Sequence, residues 1–165
     1  MPIPGIQQPD ILDIGPGLRL RKFDGVFHFA IPWYQDPSLQ RLVDGVQKPY
    51  PPERVKAMYE YLNACGELYF IEVLEEDTFT PVGDVTFSRE DLPMVLGPAP
   101  LRGKHIGRRV LTALIDRARA LGYDSLTVRD IFDFNTASQS CYQSVGFRPT
   151  KQTKLGHSYR LDLSL

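Results

Sequence analysis

Cysteine is scarce in this chain. Its 165 residues hold two, Cys65 and Cys141, too few for a disulfide-stapled scaffold. Cys141 shares a helical stripe with Ala137 and Val145, which suits packing better than nucleophilic chemistry. No apolar run approaches the roughly 20 residues needed to span a bilayer, and no secretory leader opens the chain. These absences predict a soluble, cytoplasmic protein with free thiols and no membrane partner. Neither sign of charge is in excess: 19 basic and 20 acidic residues leave a net −1, whereas a dedicated nucleic-acid binder should be strongly basic. His28 and His157 lack metal-ligand spacing with other His or Cys residues, so no metal site is expected. Internal repeats, low-complexity tracts and composition breaks are missing too. With 42% apolar residues, the chain reads as one domain over 1–165.

What is present concentrates between Leu101 and Phe147. The run Leu-Arg-Gly-Lys-His-Ile-Gly-Arg-Arg, 101–109, precedes an amphipathic segment with Val110, Leu114, Ala118 and Leu121 on one stripe, widened by Leu111 and Ile115. Gly122 suits its left-handed stop. Gly103 and Gly107 let the loop turn its amides toward one point. A helix starting near Gly107 adds free N–H groups and a positive dipole end, and Arg102, Lys104, Arg108 and Arg109 add charge. The composite suits a phosphate or pyrophosphate; a glycine-containing loop with solvated basic residues is the alternative. It is not a P-loop: Gly97 lies one residue too far from Gly103-Lys104, and His105 replaces the hydroxyl residue that would hold magnesium. The dinucleotide fingerprint is also absent from this loop.

The rest of the chain supplies alternating strands and helices. Residues 1–17, with Pro2, Pro4, Pro9 and Pro16, read as an irregular lead-in. Leu18–Phe23 alternates as a half-buried strand does. Asp36-Pro37 opens a helix that Gly45 closes, and a second helix runs from Pro52 to about Ala64. Leu68–Leu74 and Thr80–Phe87 predict an antiparallel hairpin. Pro93–Leu96 is a short strand before the loop. Ser125–Ile131 is a strand, Asn135 or Thr136 caps another helix, and two closing strands pair across a turn near Gly156. The fold class is mixed α/β, with a mostly antiparallel central sheet flanked by helices.

The loop Arg102-Gly103-Lys104-His105-Ile106-Gly107 resembles the pyrophosphate loop, Arg/Gln-x-x-Gly-x-Gly/Ala, of the GNAT (GCN5-related) N-acetyltransferases. Arg102 and Gly107 match, and His105 stands in place of the first signature glycine. A second signature follows at the expected spacing: Asn135, Tyr142 and Gly146-Phe147. The element order is similar to that fold over nearly the whole chain. Trp33-Tyr-Gln-Asp-Pro and Pro81-Val-Gly-Asp resemble the branch of ribosomal-protein alanine and aminoglycoside 6′-acetyltransferases.

The resemblance implies acetyl-CoA as acyl donor and a small-molecule or peptide amine as acceptor. It implies pantetheine contacts from Val95, Leu96 and Gly97. It implies pyrophosphate contacts from Arg102, Gly103, Lys104, His105, Ile106, Gly107 and Arg108, with Asn135 and Ser138 in the pocket. Tyr142 would be the general acid, protonating the leaving thiolate, although a packing aromatic is the alternative at that position. Glu90 is the candidate general base, with Asp91 and Asp84 as alternatives; each also fits a solvated or turn carboxylate. Trp33 and Tyr34 are candidates to line an acceptor pocket, but suit core packing better. A catalytically silent acyl-CoA-binding or regulatory module remains a second reading because of His105, and a homodimer remains open. The acceptor amine is not legible.

Overall fold

The computed structural model describes residues 1–45, 48–97 and 105–164. Strands β1 (Ile11–Gly15) and β2 (Leu18–Lys22) lead through a 3-10 stretch, His28–Gln35, to helices α1 (Pro37–Asp44) and α2 (Pro52–Cys65). Strands β3 (Glu67–Glu75), β4 (Thr78–Phe87) and β5 (Met94–Leu96) follow. Helix α3 (Ile106–Ala120), β6 (Ser125–Phe132), α4 (Thr136–Ser144), β7 (Arg148–Gln152) and β8 (Gly156–Asp162) complete the order.

Residues 1–17 are not all irregular, as their prolines had suggested. Ile11–Gly15 pairs antiparallel with β2 across a turn at Gly17, so the partner strand, rather than local pattern, makes β1. The other expected elements form where residue chemistry placed them. Asp36 caps α1 by accepting the Ser38 N–H, and Gly45 ends it at φ 82°. Glu76 and Asp77 both take positive φ in the β3–β4 turn, the twist that a tight hairpin needs.

The strands make two sheets, in orders β1-β2-β3-β4-β5 and β6-β8-β7, with every ladder antiparallel. Among the described residues no ladder joins β5 to β6. The connection from β4 to β5 bridges that break instead. Arg89 accepts the Thr127 N–H through its carbonyl at 3.1 Å, and the Asp91 carboxylate accepts the Arg129 N–H at 2.9 Å.

Helix α3 lies beneath both sheets. Its stripe of Val110, Leu111, Leu114, Ile115 and Ala118 shares one core with Leu20, Ile71, Val85 and Phe87 of the first sheet and Leu126, Val128 and Leu161 of the second. Burying each large aliphatic contributes roughly 1.5–3 kcal/mol, so this stripe is a principal link between the sheets. Strand β3 is buried on both faces: Tyr69 and Ile71 join that core, while Leu68 and Phe70 face an aromatic cluster with Trp33, Tyr34, Val55 and Tyr59. Trp33 and Tyr34 are therefore packing residues. Arg117 clamps the far end of α3 to β3 through a bidentate pair with the fully buried Glu67, at 2.8 and 2.7 Å.

Candidate active site

The break between the sheets opens a cavity of about 880 Å³. Its walls are β5, β6, the start of α3, the inner face of α4 and the apolar face of α1. Of the residues read from the sequence as site candidates, Val95, Leu96, His105, Ile106, Gly107, Arg108, Asn135, Ser138 and Tyr142 line it. Arg102, Gly103 and Lys104 lie outside the described residues. Two candidates fall elsewhere. Gly97 is packed against the Trp33 ring, where a methyl group would meet the indole at 2.5 Å, and its N–H donates to the Val82 carbonyl. Glu90 is exposed on the β4–β5 connection and does not line the cavity.

At the α3 end, His105 takes φ 59°, ψ 17°, the left-handed conformation for which glycine is suited. Its carbonyl starts the helix by accepting the Arg109 N–H at 3.1 Å. The first-turn amides have no intrahelical acceptor, and they are carried by residues that line the cavity. Gly107 is fitted tightly here: a methyl group on it would lie 2.9 Å from Met94 Cε and 3.0 Å from Cys141 Sγ. Arg108 adds a cation at the same end, and Cys141 is an apolar wall residue whose thiol burial pushes up.

Helix α4 presents the opposite wall. Asn135 accepts the Ser138 N–H at 3.1 Å and so is its cap. One turn later Tyr142 is only 2% exposed. Its hydroxyl donates to the Leu92 carbonyl at 2.6 Å, and its ring meets Phe147 edge-on at 5.4 Å between centroids. Burial holds the phenol well above its ordinary range, with smaller contributions from Cys141 and Asp91. The hydroxyl therefore stays protonated and can act as a donor.

Asp91, one residue before Leu92, does line the cavity. Burial raises its carboxyl, an effect partly offset by the Arg129 N–H it accepts. Asp84 is 3% exposed behind β5. It accepts the Tyr34 and Tyr59 hydroxyls on Oδ2, at 2.6 and 2.9 Å, and desolvation lifts it to about 6. The adjacency of Leu92 to Tyr142, and the choice of Asp91 over Glu90, depend on how one loop crosses between sheets; no sequence signal separates the two carboxylates. The α1 wall is the apolar face of Leu39, Leu42 and Val43. Among the described residues no group of three metal-ligating side chains converges, and no helix is long and apolar enough to cross a membrane.

Known proteins share this fold. A domain from Methanocaldococcus jannaschii DSM 2661 superposes with a TM-score of 0.76 at 22% identity, over 88% of this chain and 98% of its own. The protein yncA from Salmonella typhimurium, solved with its cofactor acetyl-CoA, gives 0.60 at 20% identity, covering 90% and 95%. The aminoglycoside acetyltransferase AAC(6′)-Ib, in complex with ribostamycin and coenzyme A, gives 0.70 at 13%, covering 89% and 94%. At these identities the likeness establishes the fold. A search of curated proteins by sequence found no match. The family model described as "Acetyltransferase (GNAT) family" matches residues 28–147, which take in both signatures and most of the cavity wall, so the chain belongs to the GNAT acetyltransferase family.

Proposed function

We propose that the protein transfers the acetyl group of acetyl-CoA to a primary amine by direct attack. The observation that carries this reading is the cavity itself. It has a helix N-terminus at one end and a buried phenol in its wall, between β5 and β6, which share no ladder among the described residues. Amides of Ile106, Gly107 and Arg108, with the Arg108 charge, would hold the pyrophosphate. The unpaired edge of β5 would take the pantetheine arm beside Val95 and Leu96. Asn135 and Ser138 would line the arm's other side. The lining fits such a group: it is apolar along β5 and cationic at the α3 end. Acetyl-CoA supplies an activated thioester when bound.

The reaction needs a neutral amine. Its nitrogen forms a bond to the acetyl carbon, the carbon–sulfur bond breaks, and the sulfur leaves with the electron pair. Tyr142 would supply the proton to that sulfur, exchanging its bond to the Leu92 carbonyl for one to the thiolate. Its raised pKa does not forbid the step, because the thiolate is desolvated in the same cavity and its own affinity for a proton rises too. The proton lost by the amine would go to Asp91. That carboxylate lines the cavity, whereas Glu90 does not, and its raised pKa brings it closer to the range useful for a base.

The silent-module reading rested on His105. The left-handed backbone at that position gives it little support. A direct test is thermal melting with acetyl-CoA, CoA, ATP and NAD in parallel, followed by thiol release from acetyl-CoA with an amine panel. Stabilisation by the two CoA species alone, with amine-dependent thiol release, is the expected result. Stronger stabilisation by ATP, or binding of CoA with no turnover on any amine, would overturn the reading.

A further inference from the structure

The connection between β4 and β5 decides which carboxylate reaches the reaction. Glu90 and Asp91 stand side by side there, and only Asp91 lines the cavity. A loose loop could exchange the two, but this one is held at three levels. At its base the Thr86 N–H donates to the Pro93 carbonyl at 3.1 Å. At its flank Arg89 is bound to the second sheet twice. Its carbonyl accepts the Thr127 N–H at 3.1 Å, and its guanidinium donates to Asp124 at 2.6 Å. Across its middle lies Ser88.

The Ser88 hydroxyl accepts the Asp91 N–H at 3.1 Å and donates to the Asp91 carbonyl at 2.8 Å. A serine that bonds the backbone three residues on fixes the path of the chain between. With both peptide groups of Asp91 held by one hydroxyl, its carboxylate is directed to β6, where Oδ1 accepts the Arg129 N–H at 2.9 Å. The next carbonyl, that of Leu92, takes the Tyr142 hydroxyl. Ser88 itself is 7% exposed and does not line the cavity. It stands one hydrogen bond from the candidate base without facing the reacting groups.

Resting on the acetyltransferase reading above, in which Asp91 takes the proton of the amine, we propose that Ser88 is a positioning residue for that base. It acts through the Asp91 backbone, holds the carboxylate at the cavity wall and leaves Glu90 in solvent. Without the hydroxyl, the Asp91 amide and carbonyl lose their shared partner, and the turn no longer fixes where residue 91 points.

Amine-dependent thiol release from acetyl-CoA tests this in a double-mutant cycle with Asp91→Asn, using an amine that the wild type acetylates. Ser88→Ala should lower kcat by up to roughly 10²-fold. Its KM for acetyl-CoA should be nearly unchanged, because neither β5 nor α3 loses a contact. Ser88→Thr, which keeps the hydroxyl, should recover most of the turnover. In the Asp91→Asn background Ser88→Ala should change kcat little, since the base it positions is already gone. Ser88→Cys, similar in size but a weak donor and acceptor, makes the same comparison should the alanine variant not fold; melting with acetyl-CoA reports folding. An equal loss of kcat in both backgrounds, wild-type turnover in folded Ser88→Ala, or failure of both the Ala and Cys variants to fold would overturn the positioning role and leave acetyl transfer intact. Full activity of Asp91→Asn would overturn it as well, by removing the base. Wild-type protein that turns over no amine would instead sink the parent reading.

Discussion

Three residues carry separate, measurable burdens. Tyr142 joins α4 to the Leu92 carbonyl and faces the cavity. Tyr142→Phe leaves that buried carbonyl without its donor, which costs about 1–3 kcal/mol of stability. Loss of a general acid lowers kcat by roughly 10²–10⁴-fold, with CoA affinity nearly unchanged. Turnover equal to wild type in the folded variant would reduce Tyr142 to a packing residue. His105 holds φ 59°, a conformation that ordinary side chains resist, so His105→Gly should stabilise the protein by about 0.5–1 kcal/mol, and His105→Val should destabilise it. Denaturant midpoints in the opposite order would contradict the left-handed helix start. Asp84 differs in kind, because its proton is held more tightly in the fold. Its carboxyl lies at about 6, against 3.8 for the free group. The folded state therefore binds the proton better than the unfolded chain, and stability falls as pH rises from about 4 to 6. That loss is complete above 6 and is on the order of 3 kcal/mol. Asp84→Asn keeps an oxygen for the two phenols and removes the titration, so its unfolding free energy should be flatter over this window and higher than wild type at pH 8. A wild-type contribution that rises with pH there would refute the assignment.

At the scale of elements, the cavity depends on β5 staying on β4 while remaining apart from β6. Gly83 makes the first half possible: a methyl group on it would lie 2.2 Å from the Val95 carbonyl oxygen, inside the ladder that pairs Gly83 with Leu96. Backbone cannot yield as a side-chain tip would. Gly83→Ala should therefore cost about 3 kcal/mol or more and should weaken CoA binding, since β5 forms one wall. Full CoA affinity in this variant would show that β5 is not needed there. Most elements around this wall were legible because their signals are local: Asp36 and Gly45 bracket α1, the apolar stripe defines α3, and Asn135 caps α4. What was not legible is set by distant partners. Strand β1 exists through its ladder with Leu18–Lys22, although its own segment follows three prolines. The separation of β5 from β6 is a relation between strands whose individual patterns are ordinary. For the same reason Asp91 could not be told from Glu90: the path of the Ser88–Pro93 connection decides which carboxylate enters the cavity.

For the whole molecule, the break in the sheet makes stability and ligand binding one problem. The two sheets share a core through α3, and across the break the β4–β5 connection meets β6 through the Arg89 carbonyl and the Asp91 carboxylate. A ligand lying along β5, with its phosphates on the start of α3 and its acyl end beside α4, would touch elements packed against both sheets. Such a ligand binds the native state and not the unfolded chain. At about 100 times its dissociation constant it should add about 2.7 kcal/mol to the unfolding free energy. The distribution of that gain is more informative than its size. If the cofactor bridges the break, acetyl-CoA should slow amide exchange in β5, in the first turn of α3 and in β6 together, because local opening of either wall then requires its release. Protection confined to the start of α3, with β5 and β6 exchanging as in the free protein, would mean that only the phosphates are held and that the acyl arm lies outside the cavity. Exchange measured with CoA and with acetyl-CoA separates the cases further: protection of the α3 start common to both, with added protection near Leu92 and Tyr142 only for the acetylated form, would place the acetyl group beside the phenol.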